Sequence, residues 1–200
     1  THGLDASAEE FMADRRDSKY LFPLALMPDF LDSISDEFSV LRHAGTSVST
    51  YENVYYDTVD LRCYHDHHNG RLSRFKLRHR RYRESEVAFI DLKTKTNARR
   101  TVKERVAAPE GVHELELPFA ALSEDQGDQW RPSLYINYLR ISLWNPESEE
   151  RLTLDFDIRF QSAHSSAKAE LTDFFIAELK RTDTLHGSRF FREAKRYAYL

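Results

Sequence analysis

The chain of 200 residues has only one cysteine, Cys63. A single thiol excludes an internal disulfide and a zinc site built from cysteines, and it is typical of a reducing compartment, so we expect a cytoplasmic protein. No apolar run approaches the roughly 18 residues of a membrane-spanning helix. The sequence also shows no charged start followed by an apolar stretch, so we expect no signal peptide.

An excess of positive charge is also missing, since 29 Lys and Arg residues stand against 33 Asp and Glu residues, with a formal net charge of −4. Such a mildly acidic chain is not a typical nucleic-acid binder, and we expect no nucleic-acid partner. Glycine and proline are not enriched and aromatic residues are plentiful, which argues against a disordered chain. The length suits one domain, residues 1–200, with a sizeable core.

What the sequence does contain is a repeated alternation of charged and apolar residues. In residues 74–80, four cations alternate with Phe75, Leu77 and His79. Successive side chains on a strand point to opposite faces, so the four cations share one face. The same period recurs along the chain, and we predict strands at residues 15–22, 48–57, 72–83, 86–95, 101–106, 134–144, 151–160 and 174–181.

Helical signals are fewer. Apolar residues at helical spacing predict one helix that opens at Pro28 and ends at Gly45. Asp57 and Thr58 are suited to cap a short helical turn, and another short helix is predicted at residues 119–122. Eight strands with few helices indicate an antiparallel barrel or a strongly curved sheet.

The polar face of the predicted strands is charged in strand after strand. Its cations are Arg15, Lys19, Lys76, Arg78, Arg80, Lys93, Lys95, Lys103, Arg105, Arg140, Arg151, Lys180 and Lys195. Its acids are Asp17, Asp91, Asp155, Asp157 and Glu178. In an open sheet such a face is solvated, which is the alternative for any one strand. In a closed barrel the same face lines the interior, while the apolar stripes lie outside under helices.

A cationic lining needs an anion. Like charges a few ångströms apart repel strongly where the dielectric is reduced, so the lining must be wet, balanced by carboxylates or filled by a polyanion. A chain of phosphates fits better than nucleic acid, because most strand aromatics lie in the opposite phase and offer no stacking platform for bases. Glu178, Asp155 and Asp157 are candidates to hold Mg²⁺ or Mn²⁺ together with phosphate oxygens. The alternative is that these acids balance neighbouring arginines.

Other chemistries have weaker support. His65, His67 and His68 do not have the i, i+4 spacing of a helical metal site, and a structural role in the turn is favoured. Cys63 has no assigned base that would make it a nucleophile. The strand tyrosines are interpreted as wall packing rather than as platforms for a substrate; they are Tyr55, Tyr56 and Tyr138.

Taken together, these residues resemble the VTC domain, the polyphosphate polymerase domain of the triphosphate tunnel metalloenzyme superfamily, and its bacterial members in particular. The resemblance covers the chain from Arg15 to Tyr197. Its motifs are Arg-x-Asp-x-Lys-Tyr (15–20), Tyr-Tyr-Asp-Thr (55–58), His-His-Asn-Gly (67–70), Arg-Phe-Lys-Leu-Arg-His-Arg (74–80), Asp-Leu-Lys-Thr-Lys (91–95), Arg-Thr-Val-Lys-Glu-Arg (100–105), Tyr-Leu-Arg (138–140), Arg-Leu-Thr-Leu-Asp (151–155), Glu-Leu-Lys (178–180) and Lys-Arg-Tyr (195–197). No motif is specific by itself, but their order and spacing together are.

The resemblance implies an α+β fold, an eight-stranded antiparallel tunnel with flanking helices. It also implies transfer of the ATP γ-phosphate onto polyphosphate with Mn²⁺ or Mg²⁺, so ATP or triphosphate and polyphosphate would be the partners. The residues implied as catalytic are Lys19, Arg78, Arg80, Lys93, Arg140, Arg151 and Glu178. Those implied as phosphate contacts are Arg15, Lys76, Lys95, Lys103, Arg105, Lys180 and Lys195. The metal would lie at Glu178, beside the candidates Asp155 and Asp157.

Two positions depart from the family patterns. Asp91 stands where the family usually has Glu, and its shorter reach affects its ion-pairing role. Arg15-x-Asp17-x-Lys19 replaces the Glu-x-Glu-x-Lys of the related adenylyl cyclase and thiamine triphosphatase branch, which favours the VTC branch. Three activities stay open: a polymerase, a triphosphatase if water is the acceptor, and a binding module without catalysis. The sequence identifies no membrane-protein partner.

Overall fold

A computed structural model describes residues 15–96, 101–108, 130–182 and 188–198. The helix predicted at residues 119–122 lies outside the described residues. The side chain of Arg15 is also outside the description, although its backbone opens the first strand.

The described chain contains nine strands and three α-helices. The strands are β1 (Arg15–Pro23), β2 (Ser39–Leu41), β3 (Val48–Asp57), β4 (Arg74–Tyr82), β5 (Val87–Lys95), β6 (Thr101–Ala107), β7 (Arg131–Asn145), β8 (Glu150–Ser162) and β9 (Lys168–Thr182). The helices are α1 (Met27–Ile34), α2 (Arg62–His68) and α3 (Arg189–Ala198), and a 3₁₀ turn at Leu24–Leu26 precedes α1. All eight predicted strands are present, and the α+β class is confirmed.

Two predicted elements differ from the structure. The helix predicted from Pro28 to Gly45 ends at Ile34, and Ser39–Leu41 instead forms β2 along β7. The Ser35 hydroxyl donates to the Asp32 carbonyl at 2.8 Å, at the position where α1 ends. The short turn predicted after Thr58 begins later and is a full helix, α2.

The strands form one hydrogen-bonded sheet in the order β1-β9-β8-β7-β3-β4-β5-β6, while β2 pairs with β7 outside this path. The pairs β1–β9, β3–β4, β4–β5 and β5–β6 are all antiparallel. Among the described residues, the order is open and has β1 and β6 at its ends. The prediction of a closed barrel is therefore wrong for this pairing, because no ladder joins the two end strands within the described ranges.

The chain divides into two compact units. Unit 1 comprises Thr1–Thr50, Tyr138–Ile158 and Glu170–Leu200. One face of its strands is apolar, and the helices α1 and α3 cover that face. Phe22, Phe30 and Phe175 are almost fully buried there, with ring centroids 5.3–5.8 Å apart. The expectation that helices flank the apolar stripes is confirmed in this unit.

Unit 2 comprises Tyr51–Asn137 and Arg159–Ala169. Its smaller core consists of Tyr56, Leu77, Ile90 and Leu92, which lie on one face of β3, β4 and β5. Except for Arg81, which has the phase of Leu77, the cations of these strands are in the opposite phase and occupy the other face. None of the described helices in either unit is long and apolar enough to span a membrane.

Candidate functional site

The charged face of unit 2 contains a row of three lysines. The antiparallel register places Lys76 of β4 opposite Lys93 of β5, and Lys93 opposite Lys103 of β6. Residues that are directly opposite have Cβ atoms about 4.5–5.5 Å apart, and like charges in that position destabilise a sheet. Arg74 and Lys95 form a further cationic pair one row away. An anion lying across these rows would relieve the repulsion.

The neighbouring row is organised by the carboxylate of Asp91. Asp91 lies opposite Arg78 on one side and Arg105 on the other. Its two oxygens accept hydrogen bonds from Arg78 Nε at 2.8 Å and Arg105 Nε at 2.7 Å, and Arg80 Nη2 lies 3.8 Å away. The shorter aspartate therefore still bridges its arginines. Burial by itself raises the pKa of Asp91, but the three guanidinium groups outweigh burial and lower that pKa.

Aromatic rings share this charged face. The Arg80 guanidinium lies 5.6 Å from the Tyr51 ring centroid and 5.9 Å from that of Tyr82, and its Nη1 donates to the Tyr82 hydroxyl at 3.1 Å. The Arg105 guanidinium lies 5.0 Å from the Phe89 centroid. The sequence reasoning missed these rings because it placed most strand aromatics on the opposite face. The signal was present, since Tyr82 has the same even-numbered phase as the cations of β4.

Tyr55 has the most cationic surroundings of these aromatic residues. It lies opposite Arg78 across the β3–β4 ladder, and Lys76 Nζ is 4.8 Å from its ring centroid. Burial raises the pKa of the Tyr55 phenol, but Lys76, Arg78 and Arg80 together lower it below its usual value. The charged face of unit 2 is therefore strongly positive even with Asp91 in place.

The Tyr-Tyr-Asp-Thr motif anchors helix α2. Buried Asp57 accepts backbone hydrogen bonds from Thr58 and Cys63 at 2.8 Å and from Tyr64 at 3.0 Å. Thr58 Oγ1 accepts from the Arg62 backbone at 3.0 Å. Both residues thus satisfy amide groups that the start of a helix leaves without partners.

Helix α2 also carries the histidine cluster. No three His, Cys, Asp or Glu residues of the described chain are grouped so that they could hold a metal ion. The predicted structural role of His65 and His68 fits their ring contacts with Tyr64. Burial, followed by nearby cations of β4 and β5, lowers the pKa of His67. Burial and Asp57 raise the pKa of the Cys63 thiol to about 12, so Cys63 is not an activated nucleophile.

The charged face of unit 1 pairs its cations with carboxylates. Lys19 of β1 lies opposite Glu178 of β9, and Asp17 lies opposite Lys180. Within β9, Lys180 Nζ is 3.7 Å from Glu178 Oε2, and both side chains are largely buried. Charges of opposite sign thus alternate along and across these two strands.

Arg140 of β7 and Asp155 of β8 form a two-point ion pair on the same face. Arg140 Nε and Nη2 donate to the two carboxylate oxygens of Asp155 at 2.5 and 2.6 Å. Their side chains are only 11% and 14% exposed. The Arg140 guanidinium also lies 5.2 Å from the Tyr138 ring centroid, so Tyr138 packs against the arginine as wall packing would require.

The three carboxylates predicted to bind a metal, Asp155, Asp157 and Glu178, differ in how well they could bind a divalent cation. Both oxygens of Asp155 are taken by Arg140, so Asp155 fits the alternative of a charge-balancing partner. Within β8, Asp157 has a left-handed backbone conformation, with φ 49°. Glu178 remains as a hard oxygen donor on a cationic face. One such carboxylate fits a Mg²⁺ or Mn²⁺ ion that takes its other ligands from water and substrate phosphates.

Two residues predicted to contact phosphate, Lys195 and Arg151, do not belong to the ion pairs described above. Lys195 is exposed on α3, and the buried residues of that helix pack in the apolar core of unit 1. Lys195 thus lies on a helix and not on a strand, and its predicted contact with phosphate stays a prediction. Arg151 is half-buried near the start of β8, and among the described residues its Nε has no hydrogen-bond partner.

Comparison with known proteins is consistent with the resemblance seen in the motifs. A family model described as the VTC domain matches residues 14–125, and the search of curated proteins found no match. A putative adenylate cyclase from Vibrio parahaemolyticus has a similar structure, with TM-score 0.50, 13% identity and coverage of 93% of this chain and 86% of that chain. A putative adenylyl cyclase from Hippeastrum, described as having a dominant triphosphatase activity, gives TM-score 0.54, 12% identity and coverage of 92% and 85%. At these identities the two structures show a shared fold and no more.

Proposed function

Because the chain belongs to the VTC domain family, we propose that it is a polyphosphate polymerase that transfers the ATP γ-phosphate onto a polyphosphate chain. The observation that carries the proposal is the lysine row of unit 2, Lys76, Lys93 and Lys103. Three ammonium groups in directly opposed positions concentrate positive charge along one line, and all three are exposed where an anion can reach them. A linear polyphosphate repeats its negative charge along its length and suits such a row.

The arginines next to the row are suited to clamp phosphate oxygens. Guanidinium groups donate two parallel hydrogen bonds to phosphate, which adds direction to charge. Asp91 holds the Nε atoms of Arg78 and Arg105, so these side chains are already ordered before an anion arrives. An ordered donor loses less conformational entropy on binding. Asp91 therefore supports phosphate binding although it carries a negative charge.

The proposed reaction requires no nucleophilic side chain. Phosphoryl transfer depends mainly on alignment of donor and acceptor and on stabilisation of the charge that develops on the phosphoryl oxygens. In unit 1, Glu178 would hold Mn²⁺ or Mg²⁺, which neutralises charge on the substrate phosphates when bound. Lys19 lies opposite Glu178, and Lys180 Nζ lies 3.7 Å from its Oε2, so this carboxylate is placed among cations.

The direct test is a product assay with purified protein, ATP and Mn²⁺, in which the products are resolved on a gel. A ladder of long polyphosphate is expected. Lys93→Gln should reduce product formation, whereas Lys168→Gln should not, because Lys168 is an exposed lysine at the start of β9. Absence of polyphosphate under all metal and primer conditions would contradict the polymerase.

The second candidate is a triphosphatase. The observation that favours it is the shared fold with the Hippeastrum protein, which is described as having a dominant triphosphatase activity. The same surfaces would serve if water replaced polyphosphate as the acceptor. Release of inorganic phosphate from tripolyphosphate without any ladder would support this activity. Tight polyphosphate binding with neither product would leave a binding module.

A further inference from the structure

Tyr55 lies on β3 among the cations of β4, and the family resemblance gives it no role. It is opposite Arg78, and its ring lies beneath the ammonium group of Lys76 at 4.8 Å. It is only partly exposed. Three groups that the proposed function assigns to phosphate, Lys76, Arg78 and Arg80, thus act on one phenol.

The hydrogen-bond chemistry of Tyr55 determines which way its proton points. Arg78 lies opposite Tyr55 across the β3–β4 ladder, and its guanidinium group can only donate hydrogen bonds. A contact between the two side chains therefore uses the Tyr55 oxygen as the acceptor and leaves the phenolic proton for another acceptor. Among the described residues, no hydrogen bond uses that proton. The phenol is therefore a neutral donor placed between two cations, in the position where an anion would be held.

We propose that Tyr55 is a phosphate-binding residue whose neutral hydroxyl donates a hydrogen bond to a phosphate oxygen held by Lys76 and Arg78. This inference rests on the proposed function and adds a donor to the same surface. This role differs from the interpretation of Tyr55 as wall packing. A phenolate in this position would have the opposite effect, because it has no proton to donate and would repel the phosphate.

The proposal predicts a dependence of anion binding on pH. The cations lower the pKa of Tyr55 in the free protein, and a bound phosphate must raise it again because the two negative charges repel. The affinity for phosphate is therefore at its full value below the pKa that Tyr55 has in the free protein. It falls as the pH rises through that pKa. The charged groups that face Tyr55 are Lys76, Arg78 and Arg80 on β4, with Asp91 of β5 behind Arg78.

The test measures tripolyphosphate binding by calorimetry from neutral to alkaline pH, without metal, for the wild type, Tyr55→Phe and Tyr64→Phe. Tyr55→Phe keeps the ring beneath Lys76 and removes only the hydroxyl. Loss of one hydrogen bond to a charged oxygen should weaken binding roughly 10-fold at neutral pH. The ratio of the Kd of this variant to the Kd of the wild type should fall towards one at alkaline pH. Tyr64 is exposed on α2, so its variant should follow the wild type.

A second readout follows phenolate absorbance during a pH titration. The wild type and Tyr64→Phe should show one tyrosine that ionises early and shifts upward when tripolyphosphate is added, and Tyr55→Phe should lack that transition. Equal affinities of the wild type and Tyr55→Phe at every pH would overturn the role of Tyr55 and leave the proposed function intact. Failure of the wild type to bind tripolyphosphate would overturn both.

Discussion

The two units carry charge on one sheet face in different ways. In unit 1 the cations meet carboxylates, as in the pairs Arg140–Asp155 and Lys180–Glu178. In unit 2 the cations face one another, and Asp91 is the one carboxylate in the register of the charged rows of β4, β5 and β6. Paired charges stabilise the fold without a ligand, whereas a row of like charges is stabilised by binding one. Under the proposed function, unit 2 would supply most of the affinity for anions, and unit 1 would supply the carboxylate for the metal.

The largest expected effect is on turnover and comes from unit 1. Glu178→Gln removes the carboxylate that would hold the metal and should lower turnover roughly 10²-fold or more, a loss typical of removing one charge-stabilising group. Polyphosphate binding should persist because the lysine row is untouched. A matched control is Glu147→Gln, in an exposed turn. Turnover of Glu178→Gln equal to that of the wild type would remove Glu178 from the metal site.

The next effect is on folding stability. Asp155→Asn leaves the buried guanidinium of Arg140 without its ionic partner, so the free energy of unfolding should fall by about 2–3 kcal/mol. Urea denaturation followed by circular dichroism measures this change. The exposed acid Asp32, changed to Asn, provides the control and should shift the midpoint little. An unchanged midpoint for Asp155→Asn would mean that unit 1 does not depend on paired charges.

A smaller effect is expected on affinity in unit 2. Lys93→Gln removes the central ammonium group of the lysine row and should weaken polyphosphate binding about 10-fold, the loss typical of a charge-assisted contact. The dependence of log Kd on log salt should become shallower, because fewer ions are displaced on binding. Lys168→Gln should alter neither quantity. If both variants weakened binding equally, net charge rather than the row would determine affinity.

The smallest effect concerns acid stability. The pKa of Asp91 is lowered in the folded state, since its arginines outweigh its burial. The stability that Asp91 contributes is therefore present above its unfolded pKa and is lost as the pH falls through the lower folded pKa. The difference between the wild type and Asp91→Asn should be about 1 kcal/mol at neutral pH, because Arg105 is partly exposed and solvent screens the pair. Denaturation over a series of acidic pH values should show that difference vanish, and a constant difference would contradict the assignment.

The strands were predictable because the two-residue alternation of charged and apolar side chains is a local property of the sequence. β3 matches residues 48–57 as predicted, and β4 and β5 differ from their predictions by at most two residues at an end. The failure of the helix prediction after Ile34 has a tertiary cause, since Ser39–Leu41 pairs with a strand about a hundred residues away in sequence. The closed barrel failed for a related reason. Alternation says which residues share a face, but it does not say which strands pair at the ends of a sheet.

For the candidate site, the sequence likewise predicted which residues share a face but not which of them make contact. The roles of the site residues in binding and catalysis, and the metal at Glu178, stay predictions. Lys195 was inferred from a motif match; it lies on α3, whose buried residues pack in the apolar core, and its role also stays a prediction. The rings of Tyr51, Tyr55 and Tyr82 were assigned no contact with the cations, although the cation-to-ring distances place them there.

The sequence by itself determined that the cations of each strand share a face and that the chain resembles the VTC domain, because a period of two and the spacing of short motifs are local properties. Only the tertiary structure decided which charges meet. A carboxylate pairs with the arginine that the strand register brings opposite, and a shift of one residue would exchange every partner. Register therefore made Asp91 the centre of three arginines and left Lys76, Lys93 and Lys103 in one row.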